Sequence, residues 1–158
     1  KGREINKGAF DLVLDETIDD SLDIKLTQYF YSQDTSITDE GITVDQMVNK
    51  NVRTLNNPQI KYFIRYDPAP ALKKVTCPVL ALNGERDLQV DPNQNINAIR
   101  SALEEGGNRK VTTKVFPRLN HLFQECKTGN INEYGAIEQT ISPDVLEEIS
   151  NWIKAIEH

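Results

Sequence analysis

An apolar run from Pro78 to Leu82 shows no polar alternation and halts at Asn83-Gly84; a second strand-like run, Val111-Thr-Thr-Lys-Val-Phe116, follows one helical segment later. A strand with no polar face suits a sheet covered on both sides, which is the parallel arrangement of α/β proteins. Between the two runs, Asp91-Pro92 has the form of a helix start. Ile96, Ile99 and Leu103 then recur at helical spacing, and Gly106-Gly107 stops the segment. Strand, helix and parallel strand form a βαβ unit, whose crossover is right-handed in nearly all proteins. The fold class expected from this unit is α/β.

In parallel sheets, function gathers where strands end at their carboxyl edge. Each of the two strands delivers one ionisable residue there. Asp87 follows the Asn83-Gly84 turn, and His121 follows the second strand and Pro117, 34 positions further on. An Asp that orients a His, in that chain order, is two thirds of a nucleophilic triad. An Asp after a turn glycine is often a local hydrogen-bonding residue and nothing more. A histidine in Leu119-Asn-His121-Leu-Phe sits in an apolar setting, where a titratable ring is costly unless paired. Asp91 is a rival acid, but its place before Pro92 makes it a helix cap. Glu85 is expected to be solvated, and the second histidine, His158, is the last residue.

The segments Tyr66-Asp-Pro68, Cys77-Pro78-Val-Leu-Ala-Leu82, Gly84-Glu-Arg-Asp87 and Leu119-Asn-His121 resemble the C-terminal part of an α/β-hydrolase of serine-esterase type. The resemblance runs from about Tyr62 to the end of the chain and is looser before that. It implies Asp87 as triad acid and His121 as triad base. It also implies a helical lid, at residues 1–66, ahead of the last two parallel strands and their helices at 67–158.

The chain departs from that pattern in one respect. It contains no Gly-x-Ser-x-Gly, and its six serines, Ser21, Ser32, Ser36, Ser101, Ser142 and Ser150, all lie outside any strand–Gly–Ser–Gly–helix context. The strained turn that exposes a nucleophilic serine needs small residues around it. No His-Gly-Gly segment for an oxyanion hole occurs either. Lys1-Gly-Arg reads as the middle of a helical segment. The expectation is therefore the back half of a serine hydrolase acting on carboxylic ester or acyl substrates, with acid and base but no nucleophile, and inactive alone. The alternative is a non-catalytic short form that works as a binding or assembly module.

Composition narrows the partners. The 158 residues suit a single domain, which at that size buries roughly 70% of its unfolded surface. A hydrophobic share of 38% and a mean hydropathy of −0.52 fit a helix-rich, lid-bearing segment better than a full sheet core. A net charge of −6, with Lys73-Lys74 and Arg109-Lys110 the only adjacent basic pairs, argues against nucleic acid. No apolar run is long enough to span a membrane. Cys77 and Cys126 form no metal or redox motif, and Cys77 is expected to open the buried first strand. No cofactor or metal is expected: the acidic residues Asp15, Glu16, Asp19, Asp20 and Asp23 lack calcium-loop spacing and read as helix N-terminal charges and a solvated face.

The first 66 residues read as helices. Ile5, Ala9, Leu12 and Val13 mark the first and Leu22, Leu26, Tyr29 and Phe30 the second; residues Gln33 to Gly41 form a polar loop. Thr43-Val-Asp-Gln46 has the form of a capping box opening a helix to about Leu55, and Asn57-Pro58 starts another. Asp67-Pro68 repeats that device for one short turn ending near Lys74. Ser142-Pro143 starts the last helix, with Val145, Leu146, Ile149, Trp152, Ile153 and Ile156 as a wide apolar stripe. Tyr29, Phe30, Tyr31, Tyr62, Phe63 and Tyr66 either line an acyl pocket or pack the lid. By the resemblance, the strand that would flank Val79–Asn83 belongs to the absent part, which leaves an unpaired edge beside apolar stripes. A homo-oligomer, most simply a symmetric dimer, would cover both.

Overall fold

The computed structural model of the chain describes residues 2–33 and 42–156. The expected polar loop lies, from residue 34 to Gly41, outside the described residues, as do Ser36 and His158. The chain divides into two compact units, 1–67 and 68–158.

The described part of the first unit is helical: α1 (Gly2–Leu14), a 3₁₀ turn (Glu16–Ser21), α2 (Leu22–Ser32), α3 (Val44–Leu55) and α4 (Pro58–Arg65). Its starts are chemically marked. The Thr43 hydroxyl accepts from the Gln46 N–H while Gln46 Oε1 accepts from the Thr43 N–H, the reciprocal capping box that the sequence predicts. Asn57 caps α4 through the Gln59 N–H, with Pro58 at the first helical position. Each such cap is worth about 1 kcal/mol. The 3₁₀ turn was not expected; Asp15 caps it by accepting from the Thr17 N–H. Ala9, Val13, Leu22, Leu26, Phe30, Val48 and Leu55 form the core, and a fully buried Leu such as Leu22 contributes about 2 kcal/mol. Arg65 joins the ends of the bundle: Nε donates to the Val13 carbonyl at 2.7 Å and the guanidinium grips Asp19 in a two-pronged pair at 2.6 and 3.2 Å.

The second unit contains α5 (Ala69–Leu72), β1 (Val79–Gly84), α6 (Pro92–Glu105), β2 (Val111–Phe116), a 3₁₀ turn (Ile131–Ala136) and α7 (Pro143–Ile156). Strands β1 and β2 pair in parallel, Val79 opposite Val111 through Gly84 opposite Phe116. Buried Asn108 sets where they begin. Its Nδ2 donates to the carbonyls of Val75 and Cys77 at 3.0 and 2.9 Å, and its Oδ1 accepts from the Lys110 N–H. Ile96, Ala102 and Leu103 of α6 are buried in this unit, and Phe116, Leu119 and Val145 form a buried cluster with Leu82, Phe123 and Ile149 beside it.

Two expectations are corrected here. Cys77 does not open a buried strand: it is exposed, and the ladder begins at Val79, because Pro78 has no N–H to donate. The short helix α5 begins one residue later than Asp67-Pro68 implies. Pro68 itself holds the cap position, its carbonyl accepting the Ala71 and Leu72 N–H groups at 3.0 Å, and Pro70 fills the first turn. The stripe on α7 is covered on one side only: Val145 is buried, whereas Leu146, Ile153 and Ile156 are each more than 40% exposed.

Candidate functional site

Both ionisable residues stand at the carboxyl ends of the paired strands. Gly84 is the last residue of β1, and its carbonyl accepts the Asp87 N–H at 3.2 Å, folding Asp87 back toward the sheet. Past β2, the Leu119 carbonyl accepts the Arg86 N–H at 2.9 Å, so the two loops are hydrogen-bonded to each other. A Cβ on Gly84 would stand 2.4 Å from the Leu119 carbonyl oxygen and 2.5 Å from that of Asn120. The histidine loop therefore crosses the end of β1 at a distance only glycine permits.

That crossing brings Asp87 and His121 together. His121 Nδ1 lies 2.9 Å from Asp87 Oδ2. Asp87 is 6% exposed and its carboxylate is fully engaged: Oδ1 accepts the Gln89 and Val90 N–H groups, each at 2.9 Å, and Oδ2 also accepts from the Asn83 side chain. Burial alone would raise the carboxyl's pKa, but the Val90 N–H, the His121 ring and the Gln89 N–H together outweigh it and hold the group below its ordinary value of 3.8. Asp87 is thus an anion at neutral pH. An anion only accepts, so Nδ1 carries the proton of this contact, and in the neutral ring that leaves the lone pair on Nε2. The His121 side chain is 38% exposed. The arrangement can take up a proton at Nε2 and stabilise the resulting imidazolium.

The histidine loop is held by hydrogen bonds of its own. Asn120, fully buried, accepts the Leu122 and Gln124 N–H groups on Oδ1 and donates to Gln124 Oε1, a small ring around His121. Gln124 Nε2 in turn donates to the Gln139 carbonyl. Phe123 holds a left-handed backbone, φ +57°, a conformation costing about 1–2 kcal/mol for a non-glycine residue. Its ring packs edge-on against Phe116, centroids 6.3 Å apart, which offsets part of that cost. Arg86 clamps the loop's far end through its guanidinium.

Asn83, Gly84, Arg86 and Asn120 are the supporting residues that the sequence did not single out. Gly84, Arg86 and Asn120 stand inside the quoted motifs, and Asn83 directly precedes a turn glycine, but only the folded geometry shows what each one touches. Asp91 caps α6 through the Gln94 N–H, as expected of it. Glu85 is exposed, yet it also accepts the Arg118 N–H at 3.1 Å. Ser142 is buried, and its N–H donates to the Phe123 carbonyl. The expected aromatic group divides: Phe30 is core, while Tyr62 and Tyr66 border one cleft of the first unit and Phe63 another. No cluster of three or more metal-ligating side chains occurs among the described residues.

Neither the curated proteins nor the solved structures contain a match to the chain. The family model of the prolyl oligopeptidase family matches residues 27–140, well over half of the chain and including both Asp87 and His121. With a parallel strand pair and mixed helices in agreement, this chain belongs to the prolyl oligopeptidase family of serine hydrolases, which have the α/β-hydrolase fold.

Proposed function

We propose that Asp87 and His121 are the acid and base of a catalytic triad whose nucleophile is a serine outside these 158 residues. The observation that carries this reading is the 2.9 Å contact between His121 Nδ1 and a buried, ionised Asp87 at the ends of adjacent parallel strands. In the working site, His121 Nε2 takes the serine proton as the oxygen attacks the substrate carbonyl. The proton then passes to the leaving group as the acyl-enzyme forms. Water repeats the cycle and releases the acid, while Asp87 stabilises the imidazolium in both halves. The substrate class is a carboxylic ester or related acyl compound, and the family's name adds the peptide bond to that class.

Residues 1–66 are assigned in this reading to a helical lid and 67–158 to the C-terminal part of the hydrolase domain. The test has two arms. The 158-residue chain should show no stoichiometric labelling by a fluorophosphonate at any of its six serines; labelling at one of them would place the nucleophile inside the chain and overturn the reading. In a polypeptide that also carries the nucleophile, His121→Ala should lower turnover of an activated ester or a peptide amide roughly 10⁴-fold. Unchanged turnover would remove His121 from the chemistry.

A further inference from the structure

We propose that Asn83 and Asn95 are positioning residues that aim the Asp87 carboxylate at His121, an inference that rests on the reading of Asp87 and His121 as acid and base. Asn95, at the end of the first turn of α6, donates from Nδ2 to Asn83 Oδ1 at 3.2 Å. Asn83, next to last in β1 and 5% exposed, donates from Nδ2 to Asp87 Oδ2 at 3.1 Å. That oxygen is the one His121 Nδ1 approaches at 2.9 Å.

The polarity of this chain of bonds follows from its end. An ionised carboxylate only accepts, so Asp87 requires the NH₂ of Asn83 to face it. The Asn83 oxygen must then face α6, where a donor has to meet it, and Asn95 supplies one. A carboxamide keeps its shape when turned over, so without Asn95 nothing polar would prefer one orientation of Asn83 at its far side. The two backbone N–H groups on Oδ1 fix one edge of the carboxylate, and Asn83 fixes the other. With both edges held, the carboxylate stays in the plane that receives Nδ1–H, and His121 keeps Nε2 free to act as base.

The test is nuclear magnetic resonance on the full 158-residue chain, following the His121 ring nitrogens and the Nδ1 proton. Asn95→Asp preserves size but replaces the donor with an acceptor, which leaves the Asn83 oxygen unheld and competes with Asp87 for the Asn83 NH₂. Asn83→Ala removes the bond outright. In both variants the His121 Nδ1 proton should exchange with water at least roughly fivefold faster, and the Nδ1-protonated tautomer should lose population, without a matching change in thermal unfolding. A destabilised loop alone would alter unfolding and exchange together. Should Asn83→Ala fail to fold, Asn95→Asp decides alone, since Asn95 is only half-buried. If the unsubstituted chain shows the protected Nδ1 proton and Asn95→Asp leaves it unchanged, the positioning role is wrong and the acid–base pair stands. If the unsubstituted chain shows no Nδ1 proton bonded to Asp87, the acid–base reading itself falls.

Discussion

Arg86 Nη1 donates to the Cys126 and Lys127 carbonyl oxygens at 2.5 and 2.8 Å, so the residue directly before the candidate triad acid clamps the loop that carries the candidate base. The clamp is tightened by Gly129, whose φ of +81° lets it pass the Arg86 carbonyl where a Cβ would stand 1.9 Å away. Side chain and backbone of one residue thus hold opposite ends of the histidine loop, the backbone N–H at Leu119 and the guanidinium at Cys126.

Replacing Arg86 with Met should therefore loosen the loop more than it destabilises the fold. Two hydrogen bonds from a charged donor, partly open to solvent, are worth about 1–2 kcal/mol together. Amide hydrogen exchange at residues 119–128 should accelerate by roughly tenfold while the strands keep their protection. Uniform acceleration across the whole second unit would show that Arg86 supports global rather than local stability.

Gly84→Ala should be far more damaging than its one added methyl suggests. The new Cβ meets two backbone oxygens, at 2.4 and 2.5 Å, and neither is the end of a side chain that can swing away. Overpacking of this kind costs about 2–3 kcal/mol. The least costly relief moves the Leu119–Asn120 backbone off the end of β1, which draws His121 away from Asp87. Denaturant titration should report the lost stability, and the Nδ1 proton of His121 should become unprotected; an unaltered denaturation midpoint would mean the crossing is looser than this geometry.

The pH dependence follows from Asp87. Its folded pKa lies below its ordinary value, so the anion is favoured by folding. The sign is that of a depressed acid: the stabilisation is complete above 3.8 and is lost as pH falls through the lower folded value. Asp87→Asn should accordingly be less stable than the parent chain at neutral pH, with the gap closing only below about pH 4. A gap that stayed constant down to pH 2 would show that Asp87 contributes through its shape and neutral hydrogen bonds, with no contribution from its charge.

What was legible in the sequence is what local chemistry encodes. Thr43, Asn57 and Asp91 announce their helices because a cap bonds its own neighbours, two or three residues on. The meeting of Asp87 and His121 was legible because strand ends in a βαβ unit share one edge, which turns a separation of 34 residues into a contact. The role of Arg86 was not legible, although it stands inside the Gly84-Glu-Arg-Asp87 segment, since its partners lie 40 and 41 residues away. Asn83 and Asn95 were hidden for a related reason: a carboxamide's role depends on which way it faces, and no periodicity records that. Cys77 misled because a small apolar residue beside a strand reads as part of it, whereas Pro78 decides where the hydrogen-bond ladder can start.

Self-association is the last expectation. Among the described residues β1 pairs with β2 alone, so one edge of β1 presents backbone donors and acceptors to no strand. Val79 to Leu82 carry no charge along that edge, and Pro78 precedes the strand, so it does not interrupt it. On α7, Leu146, Ile153 and Ile156 add an exposed apolar row to a helix whose opposite side is already packed, and Leu122 and Leu88 are exposed beside the acid–base pair. A two-fold dimer that pairs β1 with its own copy would satisfy the edge and bring both copies' apolar rows under cover, as a self-complementary interface requires. Light scattering at micromolar concentration should give about twice the 17.9 kDa chain mass, and Leu80→Lys, at a half-buried position of β1, should shift the particle toward the single chain if the strand edge carries the contact. A monodisperse particle at 17.9 kDa would mean that the unpaired edge and the α7 row are tolerated in water, and the dimer would be wrong.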